Sequence, residues 1–251
     1  MLQKFVSLLL LSVLSLVVFG QSKIETDRPS ETQSAILVPK STFQAEIGFN
    51  KEQQNKSDYS YMHPDVLLRY GIFNHVELRL NTSFQTDHRL SENKSDYGLK
   101  PLELGIKGQL YRNVDTSFIC SVYGMYGFAD VASEDHKLEE NFYRARLLFQ
   151  NTLTKKLKLQ YNIGRDWDDD DMEQNWLYSI CPQYEVSKNL KVFIEEFGTF
   201  QSENTPKHYL DAGITYDVSK SCRVDVNAGK GLNNNASNYF VTAGFSFKIG
   251  R

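Results

Sequence analysis

Hydrophobic and polar residues alternate one for one through most of this chain. In the stretch "HVELRLNTSF", residues 75–84, the residues Val76, Leu78, Leu80, Thr82 and Phe84 fall on one side of an extended backbone. Glu77, Arg79, Asn81 and Ser83 fall on the other. The same period of two recurs over residues 43–49, 65–70, 102–110, 143–150, 157–163, 210–217, 223–228 and 239–248. Such alternation is the signature of a β-strand, and no stretch of comparable length shows helical spacing. Residues 118–128, 176–184 and 190–197 add weaker strands. The pattern predicts about twelve strands of ~9–11 residues, the length a tilted strand needs to cross a bilayer. Pro182 interrupts one strand and Glu196 falls on the apolar side of the next, where a bulge or edge irregularity is expected.

The connections alternate too. Short turns ("IFNH", "RNVDT", "LTKK", "VSKN", "VSKS") interleave with longer polar stretches ("KEQQNKSDYS", "TDHRLSENKSDYG", "DVASEDHKLEEN", "RDWDDDDMEQN", "QSENTPKH", "LNNNASN"). One motif returns three times, as "LTKKLKL", "VSKNLKV" and "VSKSCRV", each a hairpin and a loop beyond the last. That is a meander revisiting one rim, with short turns at one end and long loops at the other.

A half-buried sandwich also alternates, so the period alone does not say what covers the apolar rows. Three features favour lipid over a protein core. The strands repeat one phase with large aliphatic and aromatic residues; the polar rows mix Gly, Asn, Gln and charges of both signs, as a wet lumen does; and tyrosines such as Tyr59, Tyr97, Tyr126 and Tyr239 gather toward strand ends. The reading is an all-β, up-and-down antiparallel transmembrane barrel of about twelve strands, with a periplasmic sandwich or soluble barrel as the alternative.

Residues 1–20, "MLQKFVSLLLLSVLSLVVFG", have one early Lys, an apolar run and a small residue before Gln21, the make-up of a signal peptide cleaved after Gly20. No later stretch approaches the ~20 apolar residues of a spanning helix, so a membrane crossing must use a closed sheet. The expected organisation is therefore a signal peptide at 1–20, a periplasmic lead-in or plug segment at 21–40, and the barrel at 41–251. Cys120, Cys181 and Cys222 each sit inside a strand-like run, where they read as small fillers of the sheet faces, with a disulfide pair as the alternative. The net charge of -3 gives no basic footprint for nucleic acid.

The segments "ETDRPSET" (residues 25–32), "VPKSTFQAEIGF" (38–49) and "LRYGIFNHVELRL" (68–80) resemble the outer-membrane transporters grouped as the phenol meta-pathway degradation family. The "ETDRP" opening followed by Val-Pro-Lys before the first strand is the specific part. The resemblance implies an outer-membrane barrel of unassigned cargo and brings no catalytic residues.

Strand parity turns a set of charged side chains inward. Near the rim with the short turns these are Arg69, Lys158, Lys191, Arg223 and Lys248, opposed chiefly by Glu77 and Asp217. Arg79 and Lys107 share that polar face, and Glu103, Arg144, Arg146 and Asp211 lie farther up, where a ladder of ion pairs stiffening the wall is the plain expectation. Surplus positive charge in a low-dielectric mouth attracts anions. Those anions are either Glu25, Asp27 and Glu31 of the lead-in, folding inward with Arg28 as a plug, or anionic solutes. The loop bearing Asp166, Asp168, Asp169, Asp170, Asp171 and Glu173 is a weak candidate for a divalent cation, since it lacks the Gly and terminal Glu of an EF-hand. Enzyme signatures are missing: no G-x-S-x-G, H-E-x-x-H or Walker sequence occurs, and the five histidines are not spaced as metal ligands. No cofactor is expected. The expected function is passive passage of small solutes, anionic or aromatic ones included, with a non-conducting structural or surface-binding barrel as the alternative. Outer-membrane lipid, an unidentified small solute and, during biogenesis, the barrel-assembly machinery are the expected partners.

Overall fold

The computed structural model describes residues 22–90, 93–167, 174–200 and 206–250. The expected signal peptide at 1–20 and the acidic residues Asp168, Asp169, Asp170 and Asp171 lie outside the described residues. Alternating residues form thirteen strand segments: β1 (Thr42–Gln53), β2 (Asp58–Phe73), β3 (Val76–Arg89), β4 (Lys94–Leu99), β5 (Leu102–Arg112), β6 (Phe118–Phe128), β7 (Phe142–Thr152), β8 (Leu157–Trp167), β9 (Gln174–Glu185), β10 (Leu190–Phe200), β11 (Lys207–Asp217), β12 (Cys222–Gly231) and β13 (Tyr239–Gly250). Each pairs antiparallel with its neighbours; β1 pairs with both β13 and β2, and the β2–β3 pairing completes the ring. Both β4 and β5 pair with β3, one above the other, so they form a single stave broken at Lys100 and Pro101. The barrel is thus closed and twelve-staved, with no free edge.

Thr42 of β1 lies opposite Gly250 of β13 at the rim that carries the short turns. By the polarity common to such barrels this rim is periplasmic. Two of the stretches that read as long loops are largely strand. The β1–β2 hairpin is paired up to Gln53↔Tyr59, and β3–β4 up to Arg89↔Lys94. These extensions are polar on both faces, so they project beyond the apolar band without showing its alternation. In β2 an extra residue at His63 and Pro64 shifts the register between Met62 and Asp65. This bulge keeps Met62, Asp65, Leu67 and Arg69 all on the lumen side. At Pro182 the β9–β10 pairing is interrupted between Phe193↔Gln183 and Glu196↔Ile180 but the register does not shift, so no bulge forms, and the outward Glu196 carboxylate accepts the Tyr178 hydroxyl at 3.2 Å.

The distribution of burial answers the question the alternation left open. Ile106, Ile163 and Ile194 are about half exposed on the outer surface, whereas Glu46, Glu77 and Lys107 are wholly buried inside. A soluble protein does the reverse, and an outer face of this kind is matched to hydrocarbon. At the rim of the longer connections the outward Arg165 guanidinium lies 5.2 Å from the Trp167 ring and 5.3 Å from Trp176, an amphipathic cluster suited to an interface. All three cysteines are free; Cys120 and Cys222 are on the outer face and Cys181 is buried in the lumen.

Candidate functional site: the lumen

Residues 22–40 run inside the barrel. With Pro29, Pro39 and no alternation the segment cannot join the sheet, and a buried non-sheet backbone needs partners for its polar groups. The wall supplies them with side chains. Glu46 of β1 accepts the backbone N–H of Asp27 at 2.9 Å and of Arg28 at 3.0 Å. Glu195 of β10 accepts those of Glu31 at 2.9 Å and Thr32 at 2.6 Å. Asn162 takes Gln33 N–H at 2.7 Å, and Glu77 takes Val38 N–H at 2.7 Å. In the other direction Arg223 donates to Ile24 C=O at 2.8 Å, Ser121 to Ala35 C=O at 2.6 Å and Arg69 to Ile36 C=O at 3.2 Å. The segment leaves over Gly71, where a Cβ would sit 2.1 Å from the Pro39 oxygen, so only glycine allows that crossing.

Groups of ion pairs fasten the segment along its length. Asp27 faces Arg79 at 2.7 Å, Lys107 at 3.5 Å and Arg69 at 3.6 Å, and Glu77 and Glu46 complete this buried set on Arg69 at 2.9 Å each. Glu25 lies 3.6 Å from both Lys158 and Lys191 and 3.8 Å from Arg223, which also binds Asp217 at 2.7 Å. Arg28 reaches Asp225 at 3.3 Å and Asp65 at 3.7 Å, lying over Gly48 and Gly244, whose missing side chains leave the notch it fills. Glu31 reaches up to Arg146 at 2.6 Å. Burial opposes ionisation of both lead-in acids, but the surrounding cations outweigh it. Lys191, Lys158 and Arg223 lower the Glu25 carboxyl to about 2, and Arg69, Lys107 and Arg79 hold Asp27 far below the usual carboxylate range.

The charged residues singled out by parity all face inward but divide unevenly. Arg69, Arg79 and Lys107 converge on Asp27 and on Glu77 beside it; Lys158, Lys191 and Arg223 converge on Glu25; Lys248 donates to the Ser22 carbonyl. Glu103 pairs with Arg144 at 3.2 Å. Asp211 departs from the expected ladder of ion pairs: its partner is Asn227, at 2.7 Å, and no basic side chain pairs with it among the described residues. Asp166 belongs to the wall and not to the acidic loop, lying 3.6 Å from Arg144 and 3.9 Å from Arg146. Sequence reasoning passed over Glu46, Glu195 and Asp225. All three sit on the polar parity of their strands, but parity gives the face and not the depth at which the lead-in crosses it.

Above the lead-in the lumen opens into a vestibule of about 440 Å³. Its floor is the Asp27–Gln33 turn, one wall carries Arg79, Tyr123, Arg144 and Arg146, and the facing wall carries Phe197, Tyr209 and Phe240. With this arrangement in view, the family described as "Putative MetA-pathway of phenol degradation" matches residues 26–249. The chain belongs to that family. No curated protein matches the chain. Among solved structures, the COG4313 outer membrane channel from Pseudomonas putida F1 superposes with a TM-score of 0.66 at 11% identity, over 93% of this chain and 100% of that one. The KdgM porin gives 0.56 at 11% identity, over 80% and 98%, and the NanC porin 0.56 at 9%, over 82% and 100%. At such identities the likeness is one of fold: the family member described here has the closed barrel of outer-membrane channels, and its lumen has to be read from its own residues.

Proposed function

We propose that this protein is a passive outer-membrane channel for small solutes, gated or narrowed on its periplasmic side by residues 22–40. One observation carries the reading: a polar lumen inside a closed, apolar-coated barrel, open as a vestibule above and filled below by a segment held chiefly through side chains of the wall. Selectivity falls to the inward charges, with Glu103, Arg144, Arg146 and Asp211 at the vestibule and Arg69, Glu77, Arg79, Lys107, Lys158, Lys191, Arg223 and Lys248 around the lead-in, where Glu25, Asp27, Arg28 and Glu31 act as the plug. Export through residues 1–20 and insertion by the barrel-assembly machinery complete the proposal.

Planar-bilayer recording of the refolded full chain beside a variant lacking residues 22–38 tests it. The full chain should conduct weakly and the deletion several-fold more strongly. An unchanged pore would sink the plug. The filled lower lumen also suits the second reading, a non-conducting barrel that meets partners through its extracellular extensions. Silence from both proteins, each shown to be folded by heat-modifiable migration, would establish that reading instead.

A further inference from the structure

We infer that the vestibule contains a binding site for a small organic cation, its ammonium group against the Asp211 carboxylate and its apolar part on the rings of Phe197, Tyr209 and Phe240. The strand register builds the site. Glu195 and Asp211 are direct cross-strand partners, and Phe197 and Tyr209 are partners two residues above them on the same lumen face. Next in the sheet, Asp211 faces Gly229 and Gly229 faces Phe240. A Cβ at Gly229 would lie 2.4 Å from Phe240 Cζ and 2.6 Å from Asp211 Cβ, so the absent side chain lets the Phe240 ring lean over the carboxylate. Phe197 stacks on Tyr209 with centroids 4.9 Å apart at 9°, and Phe240 stands 6.0 Å from the first and 6.3 Å from the second.

The electrostatics leave one charge of this site open. Both Glu195 oxygens are committed to backbone N–H groups of the lead-in. Asp211 is only 3% exposed, yet its Oδ1 has no hydrogen-bond partner while Oδ2 holds Asn227. Two neighbouring buried carboxylates with no basic partner among the described residues share a proton or take up another positive charge, and an ammonium group bound at Asp211 would replace that proton. A ring face is attractive to the same charge and repels an anion. The opposite wall offers no matching anion site, because Arg79, Arg144 and Arg146 already face Asp27, Glu103 and Glu31 at 2.7, 3.2 and 2.6 Å. A primary ammonium joined to a ring or short alkyl chain fits a carboxylate beside three rings in a space of about 440 Å³.

Its use in uptake rests on the channel reading, but its affinity does not. Calorimetry on the refolded full chain in detergent, with benzylammonium, benzyl alcohol and benzoate as probes, measures it directly. Benzylammonium should bind about tenfold more tightly than either of the others. Asp211→Asn should erase that preference, and Phe240→Leu should weaken binding several-fold while keeping the order. Equal affinities, tighter benzoate, or a folded Asp211→Asn protein with the preference intact would each overturn the site. Should Asp211→Asn fail to fold, the order of the three probes on the native chain and the Phe240→Leu result decide alone. Conductance without the ammonium preference removes the site and leaves the channel; the preference without conductance does the opposite.

Discussion

Asp27 is the residue on which the lead-in turns, because three cations meet one carboxylate from a segment whose backbone pairs with the barrel near its ends, at Ile24 and Lys40. With Asp27→Asn, Arg69, Arg79 and Lys107 would share Glu77 and Glu46 alone, in a buried place where solvent screens the imbalance poorly. Breaking a buried charge set by removing one member costs about 3–5 kcal/mol. The expected outcome is a released segment in an intact barrel, seen as protease cleavage within residues 22–40 and a rise in conductance. The pH dependence of docking follows from the same charges. Lys191, Lys158 and Arg223 depress the docked Glu25 carboxyl from 4.5 to about 2 in spite of its burial, and Asp27 is depressed in the same direction. A depressed carboxylate contributes fully above its free value and loses that contribution as pH falls through the docked one. The contribution of these two acids to docking should therefore be constant from neutral pH to about 5 and be lost only below 4.5, toward about 2, with a rise in conductance over that range. Conductance with no rise between pH 4.5 and about 2 in bilayer recordings would contradict the assignment of these two acids as the anchors.

At the scale of elements, Cys181 reports on the lead-in. Its side chain is fully buried on the lumen face of β9, whereas Cys120 and Cys222 face outward into the apolar surface. In the folded full chain a water-soluble maleimide should label none of the three; in the variant lacking residues 22–38 it should label Cys181 alone, as read by mass after digestion. Labelling of Cys181 in the full chain would mean that the segment does not cover it. A second test uses the notch at the β1–β13 pair. Gly48→Leu places atoms where the Arg28 guanidinium lies, since even a Cβ there would be 1.9 Å from Arg28 Nη1, and it should loosen the lead-in without opening the barrel. These elements also show what the sequence made legible. Val76 to Phe84 and the equivalent rows gave strand, face and stave number, because lipid on one side and polar lumen on the other force a clean period of two. The extensions at 50–60 and 86–98 hid as loops, because above the membrane both faces are wet and the period vanishes. The route of residues 22–40 was legible only as charge complementarity between Glu25 or Asp27 and a basic rim. Which basic residue meets which acid depends on the stagger of the strands, and local sequence does not carry that.

For the whole molecule the charges divide by depth, and removing one segment exchanges which depth controls passage. In the full chain a solute entering from outside meets the vestibule, whose lining holds Asp27, Glu31, Glu52, Asp65, Glu103 and Asp211 against Arg28, Arg79, Arg144 and Arg146. Six carboxylates against four guanidinium groups in a narrow, weakly screened space favour cations. The deletion of 22–38 takes away Asp27, Glu31 and Arg28 and exposes Arg69, Lys107, Lys158, Lys191, Arg223 and Lys248, which then face chiefly Glu46, Glu77 and Asp217. The control passes to a ring with cations in excess, so the anion preference that the basic rim suggests belongs to the barrel without its lead-in. Reversal potentials in a salt gradient should therefore change sign, from cation-selective for the full chain to anion-selective for the deletion, and both should shrink at high salt as screening shortens to a few ångströms. The same sign in both proteins would mean that residues 22–40 do not set the field along the pore, whatever they do to its width.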